Sequence, residues 1–295
     1  MKNRKVIISL IVILAILAIL LTIFFVGLLN HNFNFSFLKM GYKVSNELVI
    51  DEEYNIDFNS ITIDAEASDI FIKTSKDNRS RVVVYGKEEN AFVETNNNEL
   101  KIQSKEKVCV GFCFNFEVAK IEVYLPEEYN KEISIHNKYG DIEIAEFINA
   151  NINVEEDCGD VFIHEGNIVN VSNKFGDITI NYANVLNVDE KAGDVEIGAV
   201  NEIKVTNSYG DIKINSINYS LNLQNNCGDI KIDNIDLKEN SYIKDDLGDI
   251  KIGRTNEIYI DAKTSLGDTE IHNNYRESNI TLKIENNCGD IEVNN

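Results

Sequence analysis

Nine aspartates in this chain each follow a glycine at a near-constant spacing. The glycines are Gly140, Gly159, Gly176, Gly193, Gly210, Gly228, Gly248, Gly267 and Gly289. The aspartates are Asp141, Asp160, Asp177, Asp194, Asp211, Asp229, Asp249, Asp268 and Asp290. Successive glycines lie 19, 17, 17, 17, 18, 20, 19 and 22 residues apart. Carboxylates at a fixed period could ligate hard cations through oxygen. Two of them flanking a sugar could also cleave a polysaccharide. A catalytic constellation, however, breaks a repeat, and these acids occupy the same slot in every copy. His31, His136, His164 and His272 are scattered, and no nucleophile has a base beside it in the pattern. The expectation is therefore a non-enzyme with no catalytic residues, no cofactor and no resident metal. Two accounts of the stacked aspartates stay open. Calcium lies between them, or they accept hydrogen bonds from corner N–H groups and face water, with Lys138, Lys174 and Lys191 offsetting charge.

The five cysteines divide into two groups. Cys158, Cys227 and Cys288 fill the slot before a Gly-Asp pair, which elsewhere holds Tyr139, Phe175, Ala192, Tyr209, Leu247 and Leu266. That interchange is expected of a buried hydrophobe, not a ligand. Cys109 and Cys113, in "KVCVGFCF", flank a glycine and leave open either a local disulfide or two free thiols.

The elements that position these residues follow from the pattern around each glycine, taken as position zero. Positions +2 and +4 are almost always Ile or Val, as in Ile142/Ile144 and Ile212/Ile214, with mixed polar residues between. Positions −7 and −5 are aliphatic, as in Ile203/Val205 and Leu221/Leu223. Such alternation predicts strands with one dry face. The inward parity is odd before the glycine, at −7, −5 and −1, and even after it, so each Gly-Asp pair must be a corner that absorbs one residue. Two strands per repeat, meeting at that corner, cannot bury their apolar faces alone, whereas a stack can. Nine rungs at about 4.8 Å predict an all-β structure, a β-solenoid of stacked Gly-Asp repeats roughly 40 Å long. Asn137, Asn173, Asn207, Asn225 and Asn286, at position −3, are expected to stack as an amide ladder. A degenerate copy, "ITIDAEASDIFI", precedes the clean ones, and alternating segments follow it with a turn at Asn96–Asn98.

Ahead of all this lies "VIISLIVILAILAILLTIFFVGLL", residues 6–29, without a charge. It exceeds the about 20 residues that span a bilayer and the about 7–15 of a cleaved signal's apolar region. A single transmembrane α-helix is expected. Lys2, Arg4 and Lys5 keep the N-terminus cytoplasmic, leaving the rest in an extracytoplasmic domain on the cell membrane. The expected organisation is a cytoplasmic stub at 1–5, the helix at 6–29 and a linker at 30–44. An opening β segment at 45–130 leads into the nine repeats at 131–295. The formal charge of −21 argues against a nucleic-acid partner. The last strand, "GDIEV", needs a cover. Another chain, a second copy making a homo-oligomer through this C-terminal rung, or a folded-back upstream segment would serve.

Repeats of "I-x-I…N-x-Φ-G-D-I-x-I" behind one membrane segment resemble the bacterial "putative adhesin" β-strand-repeat family, which includes LiaG-like and toast-rack-type extracytoplasmic domains. The resemblance covers roughly residues 55–295. It implies a cell-envelope binding or scaffold protein, an adhesin or an envelope-stress protein, and brings no catalytic residues. A calcium-stabilised surface rod and a polysaccharide-active enzyme are the alternative functions.

Overall fold

The computed structural model describes residues 43–55, 57–77, 79–106 and 117–294. The segment expected to span the membrane, residues 6–29, lies outside them, as do Cys109, Cys113 and His31. No helix among the described residues is long and apolar enough to cross a membrane.

The alternating segments form strands throughout. The opening part supplies β1 (Lys43–Val44), β2 (Leu48–Tyr54), β3 (Ser60–Ala65), β4 (Ser68–Ser75), β5 (Ser80–Tyr85), β6 (Ala91–Asn96), β7 (Glu99–Ser104) and β8 (Glu117–Pro126). The repeats supply β9 (Glu132–Tyr139), β10 (Ile142–Cys158), β11 (Val161–Asn173), β12 (Ile178–Glu190), β13 (Val195–Asn207) and β14 (Ile212–Asn225). They continue with β15 (Ile230–Ile235), β16 (Ser241–Leu247), β17 (Ile250–Thr255), β18 (Tyr259–Leu266), β19 (Thr269–Ile271), β20 (Thr281–Cys288) and β21 (Ile291–Val293). One 3-10 turn, Glu88–Asn90, is the only helical element among the described residues. The class is all-β.

Equivalent residues of successive repeats pair in parallel and in register. Ile178 lies on Val195, Ile180 on Ile197, Leu186 on Ile203 and Val188 on Val205. This register turns the sequence pattern into continuous interior columns of Ile, Val and Leu, nearly all fully buried. The architecture is a β-solenoid. Its only antiparallel pairs among the described residues, β2 with β5, β5 with β8 and β6 with β7, lie in the opening part. There Asn97 and Asn98, both at positive φ, make the tight turn between β6 and β7. The degenerate copy forms a rung of its own, with Ile70 and Ile72 of β4 paired to Ile142 and Ile144 of β10.

Each rung has more corners than the expected single bend. A further inward column occurs at position +7, filled by Phe147, Gly166, Ala183, Val200, Ile217 and Ile235. It is reached by a step of three from +4, and in the 17-residue periods it is left by another step of three to the next −7. Two extra bends therefore frame it. Side-chain volume varies from rung to rung: fully buried Phe147 lies beside Gly166, whose missing side chain leaves room for Ile152 and Val169.

The stacking order departs from chain order at the far end. β16 and β17 pair not with β18 and β19 but with β20 and β21. β18 and β19 then pair on the other side of β20 and β21. The last repeat is thus inserted between the Gly248 and Gly267 rungs, and residues 259–271 form the end rung. Of the three covers named for the C-terminal strand, an upstream segment provides it, so a second copy is not needed there. The end rung's own edge is partly closed by the following loop. The Asn274 side chain donates to the Ile260 carbonyl (2.8 Å) and accepts from its N–H (2.9 Å), standing in for a neighbouring strand.

Candidate binding surfaces

Four columns run along the rod at or near the Gly-Asp corners, each repeating one slot of the sequence. The glycines stack directly on one another. At Gly140, φ is +123°, a region that favours glycine, and an added Cβ would also strike the Ser68 carbonyl. Gly159 lacks a left-handed φ, yet its Cβ would overlap the Gly140 carbonyl oxygen, so close approach alone demands glycine.

The aspartates form the first surface column. Each backbone N–H donates to the Oδ1 of the aspartate on the preceding rung, beginning with Asp141 on Asp69 (3.1 Å). Asp160, Asp177, Asp194, Asp211, Asp229 and Asp249 continue it at 2.8–3.0 Å. Asp290 then bonds Asp249 and Asp268 bonds Asp290, following the inserted rung. Backbone donors therefore occupy one oxygen of each accepting carboxylate. Two of the lysines expected to offset this column pair elsewhere, Lys138 with Glu66 (3.3 Å) and Lys174 with Asp157. Among the described residues no group of three or more His, Cys, Asp or Glu side chains is arranged to hold a metal ion.

Position −3 forms a buried second column. Its asparagines do not bond one another as expected. Each amide nitrogen instead donates to corner carbonyls: Asn173 to Gly159 (3.1 Å) and Gly176 (3.2 Å), Asn207 to Gly193 (3.3 Å) and Gly210 (3.1 Å). Three rungs place an acid in this slot. Glu156 and Glu190 accept from the two backbone N–H groups that follow each of them. Burial pushes the carboxyls of Glu156, Glu190 and Asp245 up to about 7. Parity puts the −3 slot inside whatever residue fills it, and these acids accordingly share the interior column with the amides.

The third column corrects an expectation outright. Position −1 points outward, not inward. Phe175 is 58%, Tyr209 66%, Leu247 55% and Leu266 70% exposed, and Cys227 and Cys288 are exposed thiols. The cause is the corner itself: after the buried −3 residue, the side chains at −2, −1 and +1 stay outside, with glycine between them, until the chain re-enters at +2. The inward parity is therefore −7, −5 and −3.

The amide ladders expected at −3 occur on the outer surface instead. Asn151, Asn167, Asn184, Asn201 and Asn218 bond side chain to side chain at 2.9–3.4 Å. Asn153, Asn170 and Asn187 do so at 2.8 Å. The second ladder lines a shallow trough of about 550 Å³ with Lys204, Glu155 and Asp189. A neighbouring trough of about 420 Å³ shares Asn153 and Glu155 and extends to His136, Asp64 and Lys101.

A stack of parallel β-rungs with aligned Gly-Asp corners defines a toast-rack-type β-solenoid. Residues 58–295 match the family described as Toastrack DUF4097, and the chain belongs to that family. Among solved structures it is similar to a "putative adhesin" from Bacteroides fragilis, at 20% identity and a TM-score of 0.47, covering 84% of this chain and 97% of that one. A "putative adhesin" from Parabacteroides merdae shares 13% identity at a TM-score of 0.41, with 85% and 99% covered. A "putative lipid binding protein" from Parabacteroides distasonis shares 15% at 0.36, with 85% and 99% covered. No curated protein matches the chain.

Proposed function

We propose that this chain is a non-catalytic, membrane-anchored module that holds a rigid β-rod outside the cytoplasmic membrane as a binding or scaffold element of the cell envelope. The observation that supports it best is the continuity of the surface columns. The Asp ladder, the apolar stripe and the Asn ladders each run unbroken across several rungs, so the surface is built to meet a long partner at many equivalent points. A reaction centre requires a local departure from the repeat. The apolar, uncharged run at 6–29 supplies the anchor and the basic residues before it the orientation.

Protease treatment of intact cells stripped of their wall, followed by fractionation, tests this reading. External protease should remove the rod and leave an N-terminal fragment sedimenting with membranes. Full-length chain in the soluble cytosol, or a rod protected until the cells are lysed, would overturn it.

A further inference from the structure

The apolar stripe at position −1 is unexplained by packing, because it contributes little to the interior. In spatial order its second half reads Tyr209, Cys227, Leu247, Cys288 and Leu266, all exposed. Successive corners are bonded to one another: the Gly210 N–H donates to the Cys227 carbonyl, Gly228 to Leu247, Gly248 to Cys288 and Gly289 to Leu266. From Tyr209 to Cys288 no strand edge is open, so a partner would dock there on side chains alone. One residue away on the other side of the glycines runs the Asp ladder, here Asp211, Asp229, Asp249, Asp290 and Asp268. On the opposite flank, position −2, the first half of the rod carries Lys138, Lys174 and Lys191, but this half carries Ser208, Asn226, Asp246, Asn287 and Ser265. The positions directly flanking this half of the ridge, −2 and +1, are therefore acidic or neutral, with Lys244 paired to Asp246 (2.9 Å) and Lys213, Lys231 and Lys251 further out at +3.

We infer that this half of the ridge, from Tyr209 to Leu266, binds a cationic amphipathic helix lying along the rod. Charge complementarity selects the partner: its apolar face covers the ridge and its flanking Lys or Arg meet the aspartates. Geometry selects a helix, since its about 5.4 Å pitch nearly matches the about 4.8 Å between rungs, placing roughly one apolar contact per turn on each rung. A second copy of this chain is disfavoured, because it would set one carboxylate column against another. The inference names the partner for the binding role proposed above.

The test uses the full chain in neutral detergent with an 18-residue Leu/Lys amphipathic helical peptide. The readout is the alkylation rate of Cys227 and Cys288, resolved by mass spectrometry. The peptide should slow both at least fivefold at saturation. Protection should vanish in Tyr209→Ser/Leu247→Ser/Leu266→Ser. It should fall at least tenfold in apparent affinity in Asp211→Asn/Asp229→Asn/Asp249→Asn, where Asn can still accept the corner N–H bond. Equal protection by a Leu/Glu peptide, equal protection by a Ser/Lys peptide, or none from the Leu/Lys peptide would each overturn the inference. The protease experiment reads the anchored-rod reading separately, so the two can fail independently.

Discussion

The buried acids at position −3 give the rod a measurable pH dependence. Glu190 sits in register between Asn173 and Asn207, and its Oε2 and their Oδ1 atoms have no hydrogen-bond partner among the described residues. A protonated Glu190 can donate to one of those amide oxygens; an ionised one leaves charge facing them. Its carboxyl ordinarily titrates at 4.5 and is raised to about 7 in the fold, mainly by burial. The folded state thus binds the proton more tightly than the unfolded state. Its stabilising contribution is full below about 4.5 and is lost as pH climbs through about 7. Glu156 and Asp245 act in the same direction. The rod should melt at a higher temperature at pH 5 than at pH 8. Glu190→Gln should stabilise it at pH 8 by about 2–3 kcal/mol and do little at pH 5. Urea unfolding at the two pH values checks this; a parent more stable at pH 8 contradicts it. The inward parity of the −3 slot was legible in the sequence; the raised carboxyls were not, because they depend on how completely the stack excludes water around Glu156, Glu190 and Asp245. The outward −1 slot is not legible from its apolar residues, because apolarity marks burial only when the register is known, and the corner ends the inward alternation at −3.

At the level of the rungs, corner and strand were readable, since the odd-to-even switch in parity admits no straight strand. The +7 column was hidden by its own variety, from Phe147 to Gly166, which leaves no consensus to recognise. Rung order at the far end left two traces in the sequence. The Gly267 repeat departs most from the column pattern, with Ala262 at −5, Thr264 at −3 and Thr269 at +2, as suits an end rung covered on one face only. The long excursion "HNNYRESN", residues 272–279, carries the chain back so that the final strand can insert. Leu247 and Cys288 are consequently in-register neighbours. In a Cys227→Ser background, Leu247→Cys should form a disulfide with Cys288 under mild oxidation, within the usual reach of about 4.4–6.8 Å between Cα atoms. Stacking in chain order would hold them about 10 Å apart, and no crosslink would appear.

For the whole molecule, stability and surface arise from one device. Each period adds one rung to every column at once, so interior burial, the Asp ladder and the outer amides lengthen together. A rod of this kind should tolerate loss of a complete period far better than loss of one residue fewer. Removing residues 187–203 joins Leu186 to Lys204 and preserves inward and outward alternation across the 17-residue deletion. Removing residues 188–203 instead joins Asn187 to Lys204, placing two outward residues in succession. Thermal unfolding of the full chain carrying each deletion is the most direct measurement. The 17-residue deletion should keep one cooperative transition within several degrees of the parent, and the 16-residue deletion should lose most of that stability. If the two deletions melted alike, the rungs would not be stacked in register and the account would be wrong.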